Sequence, residues 1–230
     1  MALSRVQIGS LEHIAPIIIG VVLFVLMLKY AKNKTEVFNH KLIHRFACFV
    51  ALFLTSFHIY HIIWSDYDFN ENLPLYLCSL MGLLIPILTY TKKQVWFEIF
   101  VFLIISGTIQ GVVTPDIAVG FPSFDYFRYW IVHLGLLIII FYYITVFNYK
   151  PTLKSVFKSY MALQVYVVAM MLFNYAMNAN YGYLNAKPKS ASIIDYLGDW
   201  PYYIIKADVV LLVVFLLIYG CFKLSFKKSK

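Results

Sequence analysis

Seven stretches of apolar side chains, each long enough to cross a bilayer as a helix, divide this chain of 230 residues. A hydrocarbon core of about 30 Å takes roughly 20 residues of α-helix. The windows run from Leu11 to Tyr30, Leu42 to Trp64, Leu73 to Tyr90, Gln94 to Val113, Tyr126 to Phe147, Val156 to Met177 and Pro201 to Cys221. With 62% hydrophobic and 13% charged residues and a mean hydropathy of +0.76, the chain has too little polar surface to stay hydrated as a soluble globule. The runs are continuous and lack the two-residue alternation of a lipid-facing strand. The expected class is therefore all-α: a polytopic membrane protein, one domain over residues 1–230, folded as a seven-transmembrane-helix bundle.

The loops between the windows alternate in charge. Lys32, Lys34 and Lys41 follow the first window, Lys92 and Lys93 the third, Lys150 and Lys154 the fifth, and Lys223, Lys227, Lys228 and Lys230 the seventh. The other loops are lysine-poor or balanced: Asp66, Asp68 and Glu71 lie in the second, Asp116 in the fourth, and Lys187, Lys189, Asp195 and Asp199 in the sixth. The positive-inside rule then places the N-terminus outside and the C-terminus in the cytoplasm. The first window carries its basic cluster after the apolar run, so it is expected to stay as an anchor and not to be cleaved as a signal peptide. A net charge of +8, spent on the loops of one face, suits anionic lipid and does not point to nucleic acid. The expected location is a membrane, which the chain crosses several times.

Polar side chains gather at the end of the windows opposite the lysines. Glu12 and His13 stand on the first, His58 and His61 on the second, Cys78 and Ser79 on the third, and Gln110, Thr114 and Asp116 on or just after the fourth. The fifth adds Arg128 and His133, the sixth Asn174 and Asn178, and the seventh Lys206 and Asp208. Helical spacing puts several on common faces: Ser106, Gln110 and Thr114; Asn174, Asn178 and Tyr181; Tyr129 and His133. Ionisable groups within a membrane cost free energy unless they face protein or water, so these faces are expected to converge on one polar chamber.

Three cysteines make no disulfide framework. Cys48 and Cys221 read as small packing residues, whereas Cys78 sits among the polar groups at a depth close to that expected for His133, near the ester carbonyls of a phospholipid. A thiol and an imidazole at that level suit acyl transfer or acyl-ester hydrolysis on phospholipids, in which His133 takes the thiol proton and Cys78 attacks an ester. Burial alone would keep the thiol inert, so a basic or positive neighbour is required: His133, His13 or Lys206. Gln110, Asn174 or Asn178 would donate to the oxyanion, and Asp208 or Glu12 would orient the histidine. His13, His58, His61, Arg128, Lys206, Asn180 and Tyr181 are the remaining candidates for contact with substrate.

Other readings stay open. The same chamber can serve a non-enzymatic transporter or a lipid-binding module. His58 and His61, three residues apart, can hold a metal if a third ligand joins them. Gly107 and Gly111 form a GxxxG pattern whose ordinary use is close helix packing. Lys206 lies too near the end of its helix for a retinal linkage, and no cofactor is implied.

Several strings resemble the bacterial YwaF-like integral membrane proteins, which are related to the vertebrate transmembrane protein 164. They are Ser10-Leu11-Glu12-His13, Tyr60-His61, Leu73-Pro74-Leu75-Tyr76-Leu77-Cys78-Ser79-Leu80, Thr114-Pro115-Asp116, Phe121-Pro122, His133, Asn180-Tyr181, Lys187-Pro188 and Asp195-Tyr196-Leu197-Gly198-Asp199-Trp200-Pro201. The resemblance implies a seven-helix fold and, from the vertebrate relative, acyl transfer between phospholipids with an essential Cys and His, which fall at Cys78 and His133. Membrane phospholipid is then the expected partner, and a bacterial cytoplasmic membrane the expected location of this multi-pass protein. Tyr76 stands where the bacterial pattern usually has His, and Asp199 where it usually has Pro.

Overall fold

The computed structural model describes residues 5–187 and 193–228, with backbone alone at 193, 194 and 226–228. Seven α-helices are found: α1 Leu11–Ala31, α2 Glu36–Trp64, α3 Leu77–Thr91, α4 Gln94–Val113, α5 Phe124–Thr145, α6 Leu153–Met177 and α7 Tyr202–Lys228. No strand occurs among the described residues. Six of these helices are long and apolar enough to cross a membrane, and α3 is a shorter apolar helix of 15 residues. At 1.5 Å per residue α3 spans only about 22 Å, less than a full hydrocarbon core. Pro188, Lys189 and Lys230 of the sequence reading lie outside the described residues.

Helix starts follow local capping chemistry more than hydropathy. Thr35 accepts a hydrogen bond from the backbone of Phe38 and starts α2 six residues ahead of the apolar window. Ser10 caps α1 and Ser123 caps α5, while Thr152 and Ser155 form a reciprocal capping box on α6. The expected helix from Leu73 begins instead at Leu77. Pro74 has no N–H to give, and the segment before Leu77 spends its polar groups on distant tyrosines. The Tyr166 hydroxyl donates to the Leu75 carbonyl at 2.9 Å, and the Leu73 N–H donates to the Tyr181 hydroxyl at 2.9 Å.

Loop contacts define two faces. On the polar face the N-terminal segment pairs with the α4–α5 loop through Val6 N–H and the Ile117 carbonyl, and through Arg5 and Asp116. On the same face Tyr181, after α6, bonds both Phe69 and Leu73 of the α2–α3 loop. On the basic face the Tyr149 hydroxyl donates to the Lys92 carbonyl, joining the α5–α6 and α3–α4 turns. Asn39 there ties three helices, donating to the Ala31 carbonyl and accepting from Tyr142.

The centre of the bundle is α5, with 67% of its apolar stretch buried, and α4, with 50%, whereas α7 at 6% is peripheral. Around α5 lie Ile43, Val50, Leu54, Ile85, Leu88, Phe97 and Val101, all fully buried. Small residues set the closest approaches, as where Gly135 admits Val50. On the basic half, buried Glu98 is held by Lys158 and Ser155, and Ser159 donates to the Glu98 and Ile99 carbonyls, locking α4 to α6.

Candidate functional site

Two glycines on α4 mark the place where Cys78 and His133 approach each other. A β-carbon at Gly107 would lie 3.7 Å from the Cys78 sulfur, and one at Gly111 would lie 2.8 Å from Cδ2 and Nε2 of the His133 ring. Gly107 and Gly111 are one helical turn apart on one face, so the thiol and the imidazole line the same strip of α4. With β-positions about 6 Å apart at that spacing, the sulfur and Nε2 are separated by no more than about 13 Å. No hydrogen bond joins them among the described residues. The GxxxG pattern is thus a notch for these side chains.

Cys78 is the second residue of α3 and His133 the tenth of α5. The two still come to neighbouring levels because α3 begins recessed beside Gly107, below the end of α4. Cys78 is free and partly exposed, and His133 is buried.

Hydrogen bonds fix the histidine tautomers. His133 Nδ1 lies 2.8 Å from the Tyr129 carbonyl, which can only accept, so Nδ1 carries the proton and Nε2 keeps its lone pair. The Tyr129 ring stacks on the imidazole at 4.0 Å between centroids, and its hydroxyl donates to the Gly111 carbonyl at 2.7 Å. A backbone carbonyl therefore orients His133 in the place expected for Asp208 or Glu12. Asp208 instead accepts from Tyr160 and Gln164 and ties α7 to α6. Glu12 borders an apolar groove between α1, α2 and α5.

His13 has both nitrogens engaged. Gly9 N–H donates to its Nδ1 at 2.8 Å, and Nε2 donates to the Val112 carbonyl at 2.8 Å. It is a neutral brace for the polar face and has no lone pair left for a substrate or a metal. His61 donates from Nδ1 to Ser65, and Lys206 places its ammonium beside Gly198 after α6. No group of three His, Cys, Asp or Glu side chains suited to a metal ion occurs among the described residues.

The asparagines expected to face an oxyanion hold the loop after α6. Asn174 donates to the Tyr181 carbonyl at 2.9 Å and accepts from the Tyr181 N–H at 2.8 Å. Asn178 is the left-handed C-cap of α6. Asn180 closes the turn through Asn185 and Ala186. Burial raises the phenols of Tyr67, Tyr181 and Tyr183 in these loops above their ordinary range, so they remain neutral donors at physiological pH. Gln110 is exposed at the end of α4, on the same edge as Thr114.

Arg128, expected from sequence to contact substrate, is paired with Asp125 on its own helix. Its Nε and Nη2 donate to Asp125, and its guanidinium lies 4.8 Å above the Phe57 ring. Tyr166, whose hydroxyl holds the Leu75 carbonyl three residues before Cys78, had no sequence signal, since α6 shares no spacing with α3.

The model of the TMEM164 family matches residues 8–219, which include every side chain of this site. The chain belongs to the TMEM164 family. It is thus a multi-pass membrane protein of that family, built from apolar helices. No curated protein and no solved structure matches it.

Proposed function

We propose that this member of the TMEM164 family transfers acyl chains between membrane lipids through a thioester on Cys78. The observation that carries the reading is the strip of α4 shared by the Cys78 sulfur and by a His133 ring whose Nε2 lone pair is set by the Tyr129 carbonyl. Catalytic hydrogen bonds are often long in substrate-free structures and tighten when substrate binds, so an open Cys–His distance is compatible with the chemistry.

The steps balance without a cofactor. His133 Nε2 takes the thiol proton as sulfur attacks the carbonyl carbon of a phospholipid ester. Collapse of the tetrahedral adduct breaks the carbon–oxygen bond, and the imidazolium returns the proton to the departing glycerol oxygen. A hydroxyl of a second lipid then attacks the thioester, gives its proton to Nε2, and the thiol is regenerated. Arg128 favours the thiolate and the developing oxyanion by its field.

Purified protein in lipid nanodiscs should accumulate an acyl adduct on Cys78, visible by intact-mass spectrometry and removed by hydroxylamine. Cys78→Ala should lose the adduct and the lipid turnover, and His133→Ala should lower both at least about a hundredfold, the usual scale of a general base. Unchanged turnover in a folded Cys78→Ala protein overturns the covalent route and favours a lipid-binding or transport module.

A further inference from the structure

The thiol of Cys48, read from sequence as a packing group, belongs to a hydrogen-bonded chain on the basic half of the molecule. Its Sγ stands 3.6 Å from Nε2 of His44, one turn earlier on α2. His44 Nδ1 lies 2.9 Å from the Thr89 hydroxyl of α3, and that hydroxyl donates to the Pro86 carbonyl at 3.1 Å. With its one proton spent there, Thr89 accepts from His44 Nδ1–H, which leaves Nε2 as the base and the thiol as its donor. Thr89 is buried, whereas His44 and Cys48 are half-buried and open to other molecules. A nucleophile, a base and a group that orients the base therefore stand in line.

The face of α2 that carries Cys48 sets what the thiol can meet. Lys41, Arg45, Cys48, Leu52, Thr55 and Ile59 recur in alternating steps of four and three residues, so they form one stripe. All but the half-buried Cys48 are exposed. Cys48 lies six residues past Leu42, where the apolar window opens, and so about 9 Å below its edge. Two cations stand above the thiol at headgroup level, and a surface for an acyl chain runs away below it. A reagent that fits both ends has a phosphate-bearing head and a long acyl tail. Exchange of one thioester for another is nearly level in free energy, whereas an oxygen ester is an uphill donor to a thiol. Cysteines at this juxtamembrane level are the usual sites of reversible S-acylation. We infer that Cys48 is an S-acylation site that loads itself from a fatty acyl thioester with a phosphorylated carrier, the acyl-coenzyme A class. His44 Nε2 takes the thiol proton as Sγ attacks the thioester carbonyl. Collapse breaks the donor's carbon–sulfur bond, and the imidazolium returns the proton to the departing carrier thiolate. The new acyl chain lies along Leu52, Thr55 and Ile59.

The full chain carrying Cys78→Ala, in nanodiscs, is incubated with palmitoyl-coenzyme A and followed by intact-mass spectrometry and peptide mapping. One hydroxylamine-sensitive acyl group should appear on Cys48 and be absent from a chain that also carries Cys48→Ala. Cys221, exposed on a helix without histidine, is the internal reference for unassisted reaction and should load at least about tenfold more slowly. His44→Phe should slow loading of Cys48 about a hundredfold, the scale of a general base. Thr89→Val, which keeps thiol and imidazole but frees the tautomer, should slow it less, and Thr89→Ser should restore the rate. Arg45→Gln should raise the half-saturating concentration of palmitoyl-coenzyme A about fivefold, the scale of one cation at a membrane surface. It should not affect loading from palmitoyl-N-acetylcysteamine, a thioester without phosphate. Loading of Cys48 no faster than of Cys221, an undiminished rate in His44→Phe, or equal loading from nanodisc phospholipid alone would each overturn the site. Equal effects of Arg45→Gln on both thioesters would overturn the phosphorylated carrier. Cys48 and Cys221 are compared within one folded chain, so a variant that fails to fold leaves the test intact. Because Cys78 is replaced throughout, this result and the test of the Cys78 thioester can each fail while the other holds.

Discussion

A methyl group at Gly111 would meet the His133 ring at 2.8 Å and the Tyr129 hydroxyl at 3.1 Å, closer than real side chains pack. Gly111→Ala should therefore push the imidazole off the Tyr129 carbonyl, at a cost of roughly 1–3 kcal/mol from overpacking. Lipid turnover should fall about tenfold or more while the helical circular dichroism is kept. Gly107→Ala meets the Cys78 sulfur and Leu77 Cδ2 at an ordinary 3.7 and 4.0 Å, and its melting temperature in detergent should differ little from wild type. Equal melting losses in both variants would show that the glycines serve helix packing alone. The sequence put these glycines one turn apart, but spacing cannot say what fills a notch. The same limit applies to histidines. His13, His58 and His133 look alike as letters, whereas their partners leave His13 with no lone pair and the other two with Nε2 bare. Tautomers depend on carbonyls and hydroxyls from other segments, such as Val112 and Tyr67, and no residue pattern encodes them.

Helices long enough to cross a membrane were legible because hydropathy sums over many residues and tolerates local error. The end of α3 was not, since Pro74 and two tyrosines from α6 and its loop decide it. The asparagines of α6 were legible as a common face and misread as catalytic support, because an amide that clamps a loop and one that holds an oxyanion have the same spacing. Asn174 closes two bonds on the backbone of Tyr181, and the Tyr181 hydroxyl in turn holds Phe69 and Leu73, just ahead of the recessed start of α3 and Cys78. Asn174→Ala leaves a buried N–H and a buried carbonyl unpaired, so the loss of stability should be roughly 2–4 kcal/mol. Amide hydrogen exchange should accelerate first at residues 179–186 and 69–75 and last in α4 and α5. Uniform acceleration across the bundle would mean that the clamp is not a local device.

At the scale of the whole molecule, most lysines and most polar side chains of the helices lie at opposite ends. Lys32, Lys34, Lys92 and Lys93 sit in the turns joined by Asn39 and Tyr149, while Cys78, His133, His58 and Arg128 lie toward the end braced by His13 and Tyr181. The positive-inside rule predicts that charge of that distribution is held on the cytoplasmic side during insertion. The short α3 tests whether it still counts as a crossing. If it does, the α2–α3 loop lies outside and the α1–α2 and α3–α4 turns lie inside. If α3 fails to cross, the α3–α4 turn and the α2–α3 loop share a side. Single cysteines at Asn70, Asn33 and Lys93, placed in a chain whose three native cysteines are replaced by serine, read this directly. A membrane-impermeant maleimide should label Asn70→Cys in intact cells, and Asn33→Cys and Lys93→Cys only after permeabilisation. Labelling of Lys93→Cys together with Asn70→Cys would reduce α3 to a re-entrant helix, and the reverse pattern at all three would turn the site toward the cytoplasmic leaflet, where its lipids would have to be drawn from the other monolayer.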